Sequence, residues 1–131
     1  MAPHATAPLP HPADDWREWF LENTRSFRRT LLIRRDGARL HAGRLPGPGD
    51  LGRLAHKMAF LTSAGLPETD AQMAMLAASR FTVGCVLEEQ ADDSRQSDTT
   101  SVPPISHESA FEAGLALIVG GLVARLPTPG R

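Results

Sequence analysis

Few residues of this chain have types and spacings that could perform chemistry, and these few are polar groups set among apolar ones. Asn23 falls on the same helical stripe as Trp16, Phe20 and Phe27, one turn before Phe27. Burying an amide without a partner costs ~1–3 kcal/mol. Asn23 therefore either pairs with the backbone or with water, or it faces a ligand cavity. The residues alone leave both interpretations open.

Two further polar groups stand near the ends of predicted elements. His41 comes just before LPGPGD (45–50), a loop rich in helix breakers, and Glu88 opens the Glu-Glu-Gln end of a long helical stretch. A single histidine in such a place is more often ordinary than a ligand. We find no glycine-rich phosphate loop, metalloprotease histidine pair, cysteine cluster or nucleophile elbow, and His107-Glu108 is too sparse for a metal site. Enzymatic activity is therefore poorly supported. A small-molecule pocket lined by apolar side chains and a plain dimerisation module both remain.

The elements that must position these groups are all predicted to be helices. Asp14 or Asp15 can cap a first helix that runs to about Arg35, and Gly65 is a natural C′ residue with Leu66 behind it. No long segment shows strict alternation of apolar and polar residues, so we expect an all-α fold. The predicted helices are 15–35, 50–64, 68–92 and 106–126, with a short helical turn at 38–43.

The two last helices are apolar on more than one side. A helix of this kind must be covered on more than one side, and the two other helices cannot bury both. We therefore predict that each chain contributes this pair to a four-helix bundle with a second copy. The predicted interface of that homodimer comprises Ala78, Cys85, Leu115, Ile118 and Leu122.

The bulk composition narrows the function classes. The chain has 131 residues and a net charge of −1, which argues against binding nucleic acid by bulk electrostatics. We expect no membrane association, because no apolar run is long enough to span a bilayer. The single cysteine and the lack of a signal peptide suit a cytoplasmic protein.

The chain is expected to form a single domain. We expect a flexible Pro-rich tail at 1–13, one domain at 14–126 and a tail at 127–131. We also expect a solvated basic patch at Arg25, Arg28, Arg29, Arg34 and Arg35.

Three segments together carry a family resemblance. RRDGARLHAG (34–43), KMAFLTSAGL (57–66) and FTVGCVLEEQ (81–90), in this order, resemble the ligand-binding and dimerisation domain of the tetracycline repressor (TetR) family. The likeness covers roughly residues 14 to 126. It implies an all-helical domain whose last two long helices pair with those of a second subunit. It also implies a repressor of transcription that a small-molecule ligand releases.

The resemblance assigns roles to particular residues. Asn23 and Phe27 match an amide and an aromatic ring that contact the drug in tetracycline-binding members. His41 matches the imidazole that ligates the drug-bound magnesium, and Glu88 matches a carboxylate that reaches this magnesium from the other subunit. The full ligand-binding set implied by the family pattern is Asn23, Phe27, His41, Pro46, Lys57, Met58, Met75 and Glu88, with His41 as the metal ligand.

This sequence departs from the tetracycline binders in ways that predict another ligand. Arg44 and Leu45 replace a threonine and an arginine, and Lys57 replaces a glutamine of the drug site. Positive side chains at Arg44 and Lys57 would repel a divalent cation. Tetracycline repressors have an extra helix that closes the pocket of the partner subunit, and the segment after Pro103-Pro104 is too short to hold it. We therefore expect an amphipathic or anionic small molecule rather than magnesium with a tetracycline.

The family places a helix-turn-helix DNA-binding domain ahead of this one, and residues 1–13 are too few to hold it. We therefore expect the chain by itself not to bind operator DNA. One hypothesis is the effector-binding and dimerisation domain of a TetR-type repressor. The alternative is a stand-alone module that binds a small molecule or forms mixed dimers. An enzyme acting through His41 and Glu88 is a third hypothesis with little support.

Overall fold

The computed structural model describes residues 9–42, 48–94 and 106–127, and this part of the chain is built from helices. The all-α prediction is confirmed. The helices are α1 (Trp16–Leu32), α2 (Gly37–Ala42), α3 (Pro48–Ser63), α4 (Glu68–Ser94) and α5 (His107–Val123). Helix α4 is central, because each of the other helices packs against it.

The start of α1 follows from its capping residue and its aromatic stripe. Asp15 is the N-cap, and its carboxylate accepts a hydrogen bond from the backbone N–H of Arg17. Trp16, Trp19 and Phe20 are buried in the main core. Trp19 lies edge-on to Phe60 of α3, with ring centroids 5.3 Å apart. These rings hold α1 and α3 together at one end of the domain.

Helix α1 ends at Leu32, short of the predicted end at Arg35. The chain turns through residues 33–36 and brings Gly37 back against the carbonyl group of Leu31. A Cβ atom at position 37 would lie 3.1 Å from the Cα of Leu31 and closer still to its carbonyl atoms. Because those atoms belong to the backbone, only glycine fits there. This turn lets α2 begin and places Ala38 in a second core cluster with Leu31 and Val86.

Helix α3 begins at Pro48, two residues before the predicted cap at Asp50. Proline suits the first helical position because its missing N–H would have no partner there. The end of α3 is as predicted. Gly65 has φ +107°, its N–H donates to the Thr62 carbonyl at 3.0 Å, and the Leu66 N–H donates to Leu61 at 3.3 Å. Leu66 is buried, which completes this glycine-capped helix end.

Helices α4 and α5 form the most extensively packed pair in the described part of the chain. Phe81 of α4 stacks on Phe111 of α5, with centroids 5.8 Å apart and an interplanar angle of 10°. Leu115, Val119 and Leu122 continue the buried side of α5. Thr82 is fully buried too, and its hydroxyl donates to the Ala78 carbonyl at 2.7 Å, so its polar group is satisfied within α4.

Two further predicted boundaries shift. Helix α4 continues to Ser94, where the Gln90 side chain donates to the Arg34 carbonyl at 2.8 Å and Asp92 contacts His107 at 2.7 Å. At the other end, Pro10 is buried and its carbonyl accepts a hydrogen bond from His56 Nε2 at 3.1 Å. Pro10, which lies within the predicted tail at 1–13, therefore contacts α3.

None of the helices described by the structure combines the length and the apolar character needed to cross a membrane.

Candidate ligand-binding site

Two of the predicted ligand-binding residues meet through their rings. Phe27 lies on α1 and His41 on α2, and their ring centroids are 4.9 Å apart at an interplanar angle of 67°. Phe27 is half-buried and packs against the second core cluster, made of Leu31, Ala38 and Val86. The turn at Gly37 folds α2 back along α1 and so brings the imidazole to the aromatic ring.

The remaining predicted residues lie on three helices. Asn23 is half-buried on α1, one turn before Phe27. Met58 of α3 and Met75 of α4 are partly buried and pack against the main core. Glu88 is exposed near the end of α4. Pro46, like Arg44 and Leu45, lies outside the described residues. The structure therefore joins Phe27 with His41 and leaves the other assignments as predictions.

Lys57 occupies an unusual position for a cation. It is half-buried on α3, on the stripe that runs from Arg53 to the fully buried Leu61. Burial lowers the pKa of the Lys57 ammonium group, and the positive charge of Arg53 lowers it further. Among the described residues, no carboxylate lies within ion-pair distance of Lys57.

Arg28 of α1 contacts both α4 and α5 and so joins three helices. Its Nη2 donates to Glu89 Oε1 of α4 at 2.8 Å, and the two side chains are only 13% and 21% exposed. Its guanidinium carbon also lies 5.3 Å from the centroid of Phe111 on α5, which is cation–π distance. We predicted that Arg28 belongs to a solvated basic patch, and this prediction is wrong, because its side chain is largely buried. It fixes α1 to the α4–α5 pair.

The other arginines of α1 are also paired. Arg25 forms a two-pronged contact with Glu112 of α5, at 2.9 Å from Nε and 2.8 Å from Nη2. This hydrogen bond raises the pKa of Arg25 and lowers that of Glu112. Arg29 pairs with Glu22 at 2.8 Å. A cleft of about 270 Å³ between α1 and α5 contains these arginines. Since carboxylates neutralise them, the cleft does not favour an anion.

The structure places the predicted interface residues on the inner sides of α4 and α5. Ala78, Leu115 and Leu122 are buried within the single chain, and Cys85 and Ile118 are partly buried against the same core. Burial raises the pKa of the Cys85 thiol. Another face of the two helices is uncovered. This exposed α4–α5 face consists of Met73, Leu76, Ala77, Leu87, Ala113, Leu117, Gly120 and Gly121.

The described metal-ligating side chains of one chain do not form a magnesium site. Within residues 9–42, 48–94 and 106–127, no three His, Cys, Asp or Glu side chains are grouped closely enough to hold a metal ion. The uncompensated Lys57 adds positive charge to the predicted site.

The ring contact at Phe27 and His41 lies within a segment that matches a known family. The profile of the family described as "Tetracyclin repressor-like, C-terminal domain" matches residues 8–106, which is most of the chain. The chain belongs to the tetracycline repressor family. The predicted resemblance is thereby confirmed.

Curated relatives of the TetR family support the assignment. The chain is 41% identical to the tetracycline repressor protein class A of Escherichia coli over 142 aligned positions, covering 95% of the chain and 66% of that protein. It is 39% identical to the class C repressor of Escherichia coli, covering 89% of the chain and 63% of the relative. The chain thus spans just under two thirds of the length of these relatives, which are named tetracycline repressors.

Solved TetR structures share the fold. TetR of class A in complex with 5a,6-anhydrotetracycline and magnesium superposes with a TM-score of 0.82 at 45% identity, covering 93% of this chain and 67% of that one. A TetR-family transcriptional regulator from Streptomyces coelicolor is 64% identical with a TM-score of 0.65, covering 95% and 66% of the two chains. The fold is therefore that of the TetR C-terminal domain.

Two features of this TetR-family domain were not found from the sequence. The Arg28–Glu89 pair joins residues 61 positions apart, and no local pattern signals it. The isolation of Lys57 could have been suspected, because it is the only lysine and its stripe leads to Leu61.

Proposed function

We propose that this chain is the effector-binding and dimerisation part of a TetR-type transcriptional repressor. In such a repressor, the ligand binds one conformation of the domain better than the other, and the shift in population is passed to the DNA-binding heads. Family membership supports this proposal, and the ring contact between Phe27 and His41 is the structural observation that carries it.

The proposed ligand site lies around Phe27 and His41, with Asn23, Lys57, Met58 and Met75 contributing from α1, α3 and α4. Half-buried aromatic and methionine side chains supply apolar contact, and a few polar groups orient the ligand, as in most small-molecule pockets. Glu88 is exposed on α4. We propose that it reaches the site of a second copy.

Thermal-shift and calorimetric titration of the chain tests the site. The compounds to compare are 5a,6-anhydrotetracycline with magnesium, which a related TetR binds, and a panel of metal-free amphipathic acids. We expect the acids to bind and expect Phe27→Leu and His41→Ala to weaken them about tenfold or more. The control is His11→Ala, which alters an exposed histidine. Binding that neither site variant weakens would refute this site. Tight, His41-dependent binding of the magnesium complex would refute our choice of ligand class.

We propose further that the exposed α4–α5 face meets a second copy of the chain. Leu117 is 77% exposed, and Met73 and Leu76 are 50% and 40% exposed. An exposed apolar surface of this kind is typical of an association site. Cβ atoms added at Gly120 and Gly121 of this face would meet nothing within 4 Å, so the backbone of α5 is open to a close approach there.

Light scattering of the Leu117→Glu variant tests the proposed dimer. A charge at the centre of a helix–helix interface should convert the dimer to a monomer, whereas Ala55→Glu, on an exposed position of α3, should not. A wild-type chain that remains monomeric at micromolar concentration would refute the proposal.

A further inference from the structure

The position of Lys57 carries an inference about the effector. Lys57 is half-buried on α3, and its neighbours on the same stripe are Arg53, one turn before it, and Leu61, one turn after it. Leu61 belongs to the main core, and α3 packs against α4. Lys57 is therefore partly buried rather than fully exposed.

The charges around Lys57 do not balance it. The acids at the start of α4 are engaged or exposed, since Asp70 contacts Arg125 at 3.6 Å and Glu68 is exposed. Within the residues that the structure describes, no acidic side chain forms an ion pair with Lys57. A half-buried cation without a counter-charge is costly to the folded chain. The arginines of α1 contrast with it, because each of Arg25, Arg28 and Arg29 has its own carboxylate.

We infer that Lys57 is the specificity-determining residue of the ligand site and selects an amphipathic ligand with an ionised acid group. The inference rests on the proposed function. The apolar body of the ligand would lie against Phe27, Met58 and Met75, and its acid group would supply the counter-charge that the chain lacks. A neutral ligand of the same shape would exclude water from the Lys57 ammonium group without supplying a counter-charge, so it would bind less tightly.

A matched pair of fluorescent probes tests this inference. Anilinonaphthalene sulfonate carries a sulfonate on an aromatic body, and N-phenylnaphthylamine has the same body without the charge. We expect the sulfonate to bind the wild-type chain more tightly than the neutral probe. Lys57→Gln should weaken the sulfonate about tenfold or more, since a hydrogen bond to a charged group is lost. The neutral probe should change less than about twofold.

Controls separate this inference from the proposed function. Phe27→Leu should weaken both probes, whereas Arg17→Gln, which removes an exposed cation on α1, should weaken neither. If Phe27→Leu weakens both probes but Lys57→Gln leaves the preference for the sulfonate unchanged, the ligand site stands and the role of Lys57 is refuted. If Phe27→Leu affects neither probe, the site itself is refuted, and the inference with it.

A second measurement does not depend on how well the variants fold. Lys57 is the only lysine of the chain, so isotope-labelled lysine gives a single side-chain NMR signal. We expect the sulfonate probe to shift this signal in the wild-type chain and the neutral probe to shift it far less. Equal shifts with both probes would overturn the inference.

Discussion

Phe81 of α4 lies directly over Gly114 of α5. A Cβ atom at position 114 would stand 2.8 Å from Cε1 of the Phe81 ring and closer still to its Cζ. The Phe81 ring also stacks on Phe111, with ring centroids 5.8 Å apart. The guanidinium group of Arg28, which lies on α1, contacts the Phe111 ring as well. The absence of a side chain at Gly114 therefore determines how closely α4 and α5 approach each other.

Gly114→Ala should lower the free energy of unfolding by about 1–3 kcal/mol, because the added methyl group overpacks the Phe81 ring. Chemical denaturation measures the change. Gly52→Ala is the control, since a Cβ atom there would meet nothing within 4 Å, and it should stabilise α3 by up to about 1 kcal/mol. Equal effects at the two positions would contradict the close contact.

Gly37→Ala should be the most destabilising of the glycine substitutions, by about 3 kcal/mol, at the upper end of overpacking effects. The obstructing atoms at this position belong to the Leu31 backbone and cannot rotate away. Thermal melting of Gly37→Ala and of the control Gly49→Ala, where space is open, gives the comparison. We expect the loss at position 37 to weaken ligand binding as well, since the turn at Gly37 carries His41 to Phe27.

The buried pair Arg28–Glu89 should show a larger coupling energy than the exposed pair Arg29–Glu22. A double-mutant cycle with Arg28→Met and Glu89→Gln should give about 1.5–3 kcal/mol, the range of a charge-assisted hydrogen bond. The same cycle at Arg29 and Glu22, which are 58% and 55% exposed, should give below about 1 kcal/mol. Coupling energies that do not differ would show that Arg28 does not fix α1 in place.

Lys57→Met should stabilise the ligand-free chain by about 1 kcal/mol at neutral pH, because it removes an unpaired cation while conserving volume. The folded-state pKa of Lys57 lies below its ordinary value of 10.5. Between the two pKa values the unfolded chain binds more protons than the folded one, so the stability of the wild type rises with pH.

The advantage of Lys57→Met should therefore shrink as the pH approaches 10.5, the ordinary value for this group. Urea denaturation of both chains across the alkaline range measures the difference. The chain has no tyrosine and one cysteine, so few other groups titrate in this range. A difference that is independent of pH would mean that burial does not disfavour the charged form.

Local patterns were sufficient to predict the helices and one helix end. Apolar spacing gave α1, α3, α4 and α5, and the Gly65-Leu66 pair gave the end of α3, because such a cap depends on residues that are adjacent in the chain. The boundaries of α1 and α4 were less certain, because contacts between distant residues decide them. Gly37 meets Leu31 only after the chain has turned, and Gln90 reaches Arg34 from another helix.

The sequence could not show which sides of α4 and α5 face inward. Both helices are apolar on more than one side, so periodicity did not separate the core side, with Leu115 and Leu122, from the exposed side, with Leu117. The contact between Phe27 and His41 was expected only through the family resemblance. The two residues stand on different helices, and nothing in their spacing implies that their rings meet.

The contacts of Arg28 tie three of the five described helices together. Helices α1, α4 and α5 are tied together by its ion pair with Glu89 and by its ring contact with Phe111. Rotating α1 relative to the other two would break both interactions at once. Helices α2 and α3 carry His41 and Lys57 but have no such tie to this arginine. A ligand that bridges those two residues would therefore bind to α2 and α3, outside the set of helices that Arg28 holds together.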